Sequence, residues 1–126
     1  MSAKILIVED SPSMRALVRE ALDADGYEVT ECDNGLAALA VLGQVAPDLV
    51  ITDINMPQLD GLGLLREIRQ LPSFRFTPVL ILTSESGSDM KESGRAAGAT
   101  GWLVKPFDAE QLRRVVSQVL GTRARA

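Results

Sequence analysis

The chain has 126 residues, 46% of them hydrophobic, which suits one domain with a buried core. Its formal net charge is −4 with a sequence pI of about 4.8, and no basic block follows from the few arginines, so we expect no direct nucleic-acid partner. Cys32 is the single cysteine and histidine is absent, which excludes an internal disulfide, histidine metal ligands and histidine-activated nucleophiles. Without a signal peptide or a long apolar run, we expect a cytoplasmic protein that does not insert into membranes.

The first half of the chain alternates apolar runs of strand length with helical patterns. Residues 4–8 form an apolar strand that stops at two acids, and Ser11 then starts a helix with proline in its first turn. Asp25-Gly26 ends that helix. Residues 27–32 are a weaker, mixed strand, and residues 34–43 have the spacing of a second helix.

The second half repeats this alternation after a central strand, Leu49 to Asp53. A helix over 61–71 precedes an apolar strand at 79–82, and the pattern over 89–98 is helical but interrupted by a glycine. We therefore expect the 89–98 helix to be the least firmly held. A last strand at 101–104 leads to a helix that Asp108 caps and Gly121 ends.

Strict alternation of strands and helices predicts an α/β fold, with a parallel sheet covered by helices on both faces. The first, third and fourth strands are almost wholly apolar and suit central positions, whereas the mixed second strand suits an edge. We expect a single domain over residues 1–126, with a core of about 3–121 and no output domain.

Polar side chains follow the predicted strands where the strands end. Asp53 ends the buried central strand, where open α/β sheets hold their ligands, although an aspartate here can also simply cap a turn. The residues collected at this edge are Glu9, Asp10, Asp53, Thr83, Ser84 and Lys105. Crowded carboxylates repel one another unless a cation neutralises them, and oxygen ligands without histidine or cysteine favour Mg²⁺.

A carboxylate in this setting is a candidate nucleophile toward phosphorus. Asp53 would attack in line and form an aspartyl phosphate, while Mg²⁺ and Lys105 neutralise the phosphoryl oxygens. Thr83 would then donate a hydrogen bond to a phosphoryl oxygen and draw its loop toward Asp53. Taken singly, Glu9-Asp10 also suits a helix N-terminus and Lys105 a solvated loop.

Four segments carry a resemblance to a known family: IVEDSPSMR (7–15), ITDINMPQLDG (51–61), ILTSES (81–86) and GWLVKPF (101–107). In this order and spacing they resemble the receiver domain of two-component response regulators, and most of all its single-domain chemotaxis type, which is CheY-like. The resemblance covers essentially the whole chain. It implies a doubly wound, flavodoxin-like sheet of five parallel strands in the order 2-1-3-4-5.

The resemblance also implies a role for each matching residue. Asp53 would be the phosphoacceptor, and Asp10, Asp53 and the Asn55 backbone carbonyl would ligate Mg²⁺, with Glu9 acting through a water molecule. Lys105 would pair with the phosphoryl group, and the Lys105-Pro106 peptide bond would be cis. Thr83 would be the switch hydroxyl, with the Ser84 backbone N–H donating to the phosphoryl oxygens.

Three further positions affect how such a switch behaves. Trp102 stands where the family commonly has Tyr or Phe as its switch aromatic, and it either takes that role or simply packs on the 89–98 helix. Asn55 and Glu85 occupy the positions that tune phosphoryl lifetime, and their identities match the chemotaxis type.

The resemblance implies a signalling protein whose only catalysis is its own phosphotransfer and autodephosphorylation. Its partners would be a histidine kinase or phosphotransfer protein and a target such as the flagellar motor switch or another effector, with the chain a monomer or weak homodimer. An intermediate phosphorelay receiver is one alternative. Another is an aspartyl-phosphate phosphatase, which would need a second acid at the position of Asn55. A flavin-binding module fits poorly, because the acids after the first strand would repel its phosphate.

Overall fold

The structure is a computed structural model that describes residues 3–56, 58–84 and 88–124. Its strands are β1 Lys4–Val8, β2 Glu28–Cys32, β3 Leu49–Asp53, β4 Val79–Thr83 and β5 Gly101–Val104. Its helices are α1 Pro12–Asp23, α2 Gly35–Val45, α3 Gly61–Gln70, α4 Ser88–Ala97 and α5 Ala109–Ala124. Within the described residues, no helix is both long and apolar enough to cross a bilayer.

The five strands form one parallel sheet in the order β2-β1-β3-β4-β5, which confirms the fold class and strand order that the resemblance implied. β3 lies in the middle and is buried along its whole length, whereas β2 lies at one edge and is only half-buried. The apolar and mixed runs therefore occupy the central and edge positions that their compositions predicted.

Alternate side chains of the strands enter two apolar cores, one on each face of the sheet. One core packs against α1 and α5 and the other against α2 and α3. The first core includes Ile5, Ile7, Val18, Leu22, Ile51, Leu82, Leu112 and Val116, and the second includes Leu6, Val8, Leu42, Val50, Leu65, Ile68, Val79 and Ile81. These buried faces fix the register of the strands, because a slip of one residue would expose both sets.

Short polar side chains cap the starts of helices, at Ser11 and Asp108 as the sequence predicted. The Ser11 hydroxyl accepts a hydrogen bond from Met14 N, and the Asn34 and Asp60 side chains cap α2 and α3 in the same way. At α5, Asp108 Oδ1 accepts from Gln111 N at 2.8 Å while Gln111 Oε1 accepts from Asp108 N at 3.1 Å. This reciprocal capping box starts α5 directly after the end of β5.

Two helices end later than predicted. α2 continues two residues beyond Gly43 and stops where Ala46 adopts a left-handed conformation, with φ of 46°. Gly121 does not end α5, which continues to Ala124, so this prediction is wrong. A glycine ends a helix when the chain needs a positive φ there, and at Gly121 the backbone stays helical.

Candidate functional site

The polar residues at the strand ends lie together because the parallel strands end level with one another. Val8 pairs in register with Thr52, so Glu9 and Asp53 occupy adjacent positions at the carboxyl end of the sheet. On the other side of β3, Thr83 pairs with Val104, the residue before Lys105. The topology therefore assembles residues that are far apart in sequence.

Glu9 is fully buried and held at both carboxylate oxygens. Its Oε1 accepts a hydrogen bond of 2.9 Å from Lys105 Nζ, and its Oε2 accepts one of 3.1 Å from Ser11 N. Burial raises the pKa of Glu9 above its ordinary 4.5, and the nearby Asp53 charge raises it further, against the lowering effect of Lys105 and the Ser11 N–H. Burial therefore disfavours the charged form of Glu9, and the Lys105 ammonium beside it opposes that effect.

Asp53 lies beside the same lysine, at the end of β3, and only 7% of its surface is exposed. Its Oδ1 accepts a hydrogen bond of 2.8 Å from Ile54 N and lies 3.3 Å from Lys105 Nζ. Burial lowers the pKa of Lys105, but the hydrogen bond and charge of Glu9, joined by Asp53, outweigh burial and raise the pKa above 10.5. Lys105 is therefore a cation shared between two carboxylates.

Asp10 completes a cluster of three acids and is the exposed member. One carboxylate oxygen from each of Glu9, Asp10 and Asp53 lies within 4.8 Å of the others. Among the described residues, the Lys105 ammonium contacts Glu9 and Asp53, and the three carboxylates together carry more negative charge than this one cation neutralises. Hard divalent cations prefer carboxylate oxygens, and the donor set therefore fits Mg²⁺.

The remaining predicted site residues lie around this cluster. Asn55 is exposed two residues beyond Asp53, and Ser84 is exposed directly after the buried Thr83. The Lys105-Pro106 peptide bond is cis. Glu85, predicted to tune phosphoryl lifetime, lies outside the described residues.

Thr83 and Trp102 lie on the same face of the sheet. Ile81 pairs with Trp102 and Thr83 with Val104, so Thr83 and Trp102 are diagonal neighbours on adjacent strands. Strand alternation places the Thr83 side chain on the same side as Ile81, which belongs to the core that Trp102 contacts. The tertiary structure thus puts both predicted switch residues on the α4 side of the sheet.

A family model of the response regulator receiver domain matches residues 5–117. The chain belongs to this family. Among curated relatives, this receiver is 38% identical over 117 residues to chemotaxis protein CheY-3 of Vibrio cholerae, with 92% of this chain and 90% of the relative covered.

Solved structures give the same family. The chemotaxis response regulator CheY4 of Vibrio cholerae superposes with a TM-score of 0.90 at 41% identity, covering 94% of this receiver and 99% of CheY4. The receiver domain of a sensor histidine kinase from Pseudomonas aeruginosa superposes with a TM-score of 0.88 at 30% identity, covering 96% of this chain and 99% of that one. That second structure has a magnesium ion coordinated in its active-site cleft.

Sequence reasoning missed the residues that support this receiver's site. Arg15 donates from Nη1 to the Glu9 backbone carbonyl at 2.8 Å, and Gly61 N donates to the Ile54 carbonyl at 2.9 Å. A Cβ at Gly61 would overlap the Asp53 carbonyl oxygen, so only glycine lets α3 start this close to the end of β3. The Asp-Gly pair at 60–61 was visible as a turn signal, but its contact with Asp53 was not.

Proposed function

We propose that this receiver domain is a phosphorylation-operated signalling switch with Asp53 as its phosphoacceptor. The observation that supports this most directly is the position of the Asp53 carboxylate, 3.3 Å from the Lys105 ammonium and within 4.8 Å of a carboxylate oxygen of both Glu9 and Asp10. A nucleophilic carboxylate needs cationic groups near the oxygens that gain charge in the transition state. Lys105, held by Glu9 at 2.9 Å, is already placed to supply one.

The proposed reaction moves a phosphoryl group from a kinase phosphohistidine to Asp53. An Asp53 oxygen attacks phosphorus in line, the new O–P bond forms as the P–N bond breaks, and the imidazole leaves with the bonding electrons. Both contacts that the described residues make with the Asp53 carboxylate go to Oδ1, so we assign the attack to Oδ2. The Ile54 N–H holds the carboxylate in this orientation.

Asp10, Asp53 and the Asn55 backbone carbonyl are the proposed ligands of Mg²⁺, with Glu9 acting through a water molecule. When bound, Mg²⁺ would neutralise the part of the phosphoryl-oxygen charge that the Lys105 ammonium does not. Glu9 is buried near the Asp53 charge, and a cation close to both would favour their ionised forms, which agrees with this assignment.

The proposed signal passes from Asp53 through Thr83 to the surface formed by α4, β5 and α5. The Thr83 hydroxyl donates to a phosphoryl oxygen, with the Ser84 backbone N–H as a second donor, and its movement changes the packing around Trp102. We infer that a target protein, such as a flagellar motor switch or another effector, binds this surface, and that the phosphoryl donor is a histidine kinase or a phosphotransfer protein.

Intact-mass measurement tests the acceptor directly. With Mg²⁺ and acetyl phosphate, we expect the protein to gain the mass of one phosphoryl group, and a chelator should prevent the gain. Asp53→Asn should stay unlabelled, whereas the matched Asp60→Asn, which keeps a capping side chain at α3, should be labelled normally. Equal labelling of Asp53→Asn and wild type would contradict the proposal.

A phosphatase is the alternative that shares this nucleophile. It would release phosphate from a phosphomonoester at many turnovers per protein, whereas the proposed switch hydrolyses only its own aspartyl phosphate. Multiple turnover of p-nitrophenyl phosphate that Asp53→Asn abolishes would favour the enzyme.

A further inference from the structure

The indole of Trp102 rests against α4 at a position where the helix has no side chain. Gly94 lies in the middle of α4 and is buried. A Cβ built at Gly94 would overlap Cη2 and Cζ3 of the indole and would lie 3.0 Å from Cζ2. Any other residue at 94 would therefore compete with the six-membered ring of Trp102 for the same space.

Packing alone holds the indole in this position. Trp102 Nε1 is buried, and it finds no hydrogen-bond acceptor among the described residues. A buried N–H without an acceptor opposes the arrangement, because it has given up its bond to water. The close approach to Gly94 and the packing against the core on this face are thus the contacts that compensate, and the position of the ring depends on both.

Trp102 also lines a surface groove. This groove has a volume of about 290 Å³ and is lined by Arg95, Ala99, Thr100, Gly101 and Trp102. Trp102 therefore contacts Gly94 and also lines a groove on the surface that we propose as the target-binding face. A ring that leaves Gly94 has to change the shape of this groove.

We propose that Gly94 is the positioning residue of Trp102. Because residue 94 has no side chain, the indole fits between β5 and α4. Residue 94 thereby sets the resting position of the aromatic side chain and the shape of the α4–β5 groove. A glycine in the middle of a helix weakens α4, and the space that it leaves is filled by the large ring of Trp102. Only the link to target binding rests on the proposed function.

Tryptophan fluorescence of the unphosphorylated protein tests whether Gly94 positions the indole, since Trp102 is the only tryptophan. We expect Gly94→Ala to expose the indole, moving its emission to longer wavelength and increasing quenching by acrylamide. Gly43→Ala is the matched control, because Gly43 also lies inside a helix but a Cβ there meets nothing within 4 Å. Emission and quenching that are the same in Gly94→Ala and wild type would overturn the proposal.

A double-mutant cycle covers the case in which Gly94→Ala folds poorly. With Trp102 present, Gly94→Ala should lower the thermal midpoint measured by circular dichroism. In the Trp102→Ala background the added methyl has room, so the same substitution should raise the midpoint, because alanine is the better helix former. A loss of equal size in both backgrounds would show that Gly94 does not act through Trp102.

These measurements are separate from phosphorylation. If Asp53 fails to accept a phosphoryl group, the emission shift and the double-mutant cycle still decide whether Gly94 positions the indole. If Asp53 is labelled normally but neither measurement responds to Gly94→Ala, the proposed function stands and the proposed role of Gly94 is wrong.

Discussion

Lys105 Nζ donates a hydrogen bond of 2.9 Å to Oε1 of Glu9, although 96 positions separate the two residues in the chain. This contact joins the end of β5 to the end of β1, across the intervening ends of β3 and β4. It also brings the ammonium group within 3.3 Å of Asp53. One ion pair therefore positions the cation of the site and neutralises a fully buried acid.

Removing this cation should destabilise the fold. Lys105→Met leaves Glu9 buried without its partner, and we expect a loss of about 2–3 kcal/mol near neutral pH, below the cost of breaking a fully buried pair because Lys105 keeps some solvent contact. Urea unfolding followed by circular dichroism measures the change. The exposed Lys4→Met is the control and should stay within about 0.5 kcal/mol of wild type. Equal effects of the two variants would contradict a role for the Lys105–Glu9 pair.

The buried Glu9 should make stability depend on pH. Its folded-state pKa is raised above the unfolded 4.5, so the folded protein binds the proton more tightly than the unfolded chain does. Without metal, the Glu9 contribution should therefore fall as the pH rises through the range above 4.5. Glu9→Gln should remove this fall, which the difference between the two urea-midpoint profiles would show.

Asp25 is a control for that experiment, because its contribution to stability changes with pH in the opposite direction. A hydrogen bond from Arg113 lowers the pKa of Asp25 below 3.8, so its contribution is present above 3.8 and is lost as the pH falls. Asp25→Asn should leave the profile above 4.5 parallel to wild type. A Glu9→Gln profile parallel to wild type as well would show that the buried carboxylate is not the source.

Magnesium should stabilise the protein through the acid cluster. At a concentration 100 times its Kd, a ligand specific for the folded state adds about 2.7 kcal/mol, and the added stability should appear as a higher thermal midpoint. Asp10→Asn should lose most of this gain, because it removes one of the three clustered carboxylates. Asp33→Asn, which changes an exposed acid outside the cluster, should keep it. A gain that survives in Asp10→Asn would place the metal elsewhere.

Arg69, although it lies near the end of α3, should contribute substantially to the free energy of unfolding. Its guanidinium donates to the Gly98 carbonyl at 2.8 Å and 3.1 Å and to the Thr77 carbonyl at 2.7 Å, joining α3 to the residues that follow α4. We expect Arg69→Ala to cost about 2–3 kcal/mol in urea unfolding, because those carbonyls lose charged donors. Arg66→Ala, an exposed change on the same helix, should cost no more than about 0.5 kcal/mol.

Gly61 should tolerate no side chain. A methyl group there would overlap the Asp53 carbonyl oxygen and lie 2.8 Å from Ile54 Cα, so backbone at the end of β3 would have to move. We expect Gly61→Ala to cost about 3 kcal/mol and to slow labelling of Asp53 by acetyl phosphate. Gly121→Ala, where a Cβ meets nothing within 4 Å, should be neutral or stabilising. Unchanged stability and labelling in Gly61→Ala would contradict the inferred crowding.

Much of the fold was predictable because it depends on local patterns. The apolar run at 49–53 is buried throughout and lies at the centre of the sheet, and Ser11 and Asp108 begin their helices as expected. Gly121 shows the limit of such reasoning. A glycine permits a left-handed helix end but does not require one, and α5 continues through it.

The sequence by itself determined which polar residues stand at strand ends, and alternation of strands and helices required those ends to lie at one edge of a parallel sheet. Only the tertiary structure decided that Glu9 is wholly buried, that Lys105 lies between Glu9 and Asp53, and that Trp102 rests on Gly94. The physical reason is that periodicity and capping act within a few residues, whereas burial, ion pairing and close packing depend on atoms that meet only when distant segments fold together.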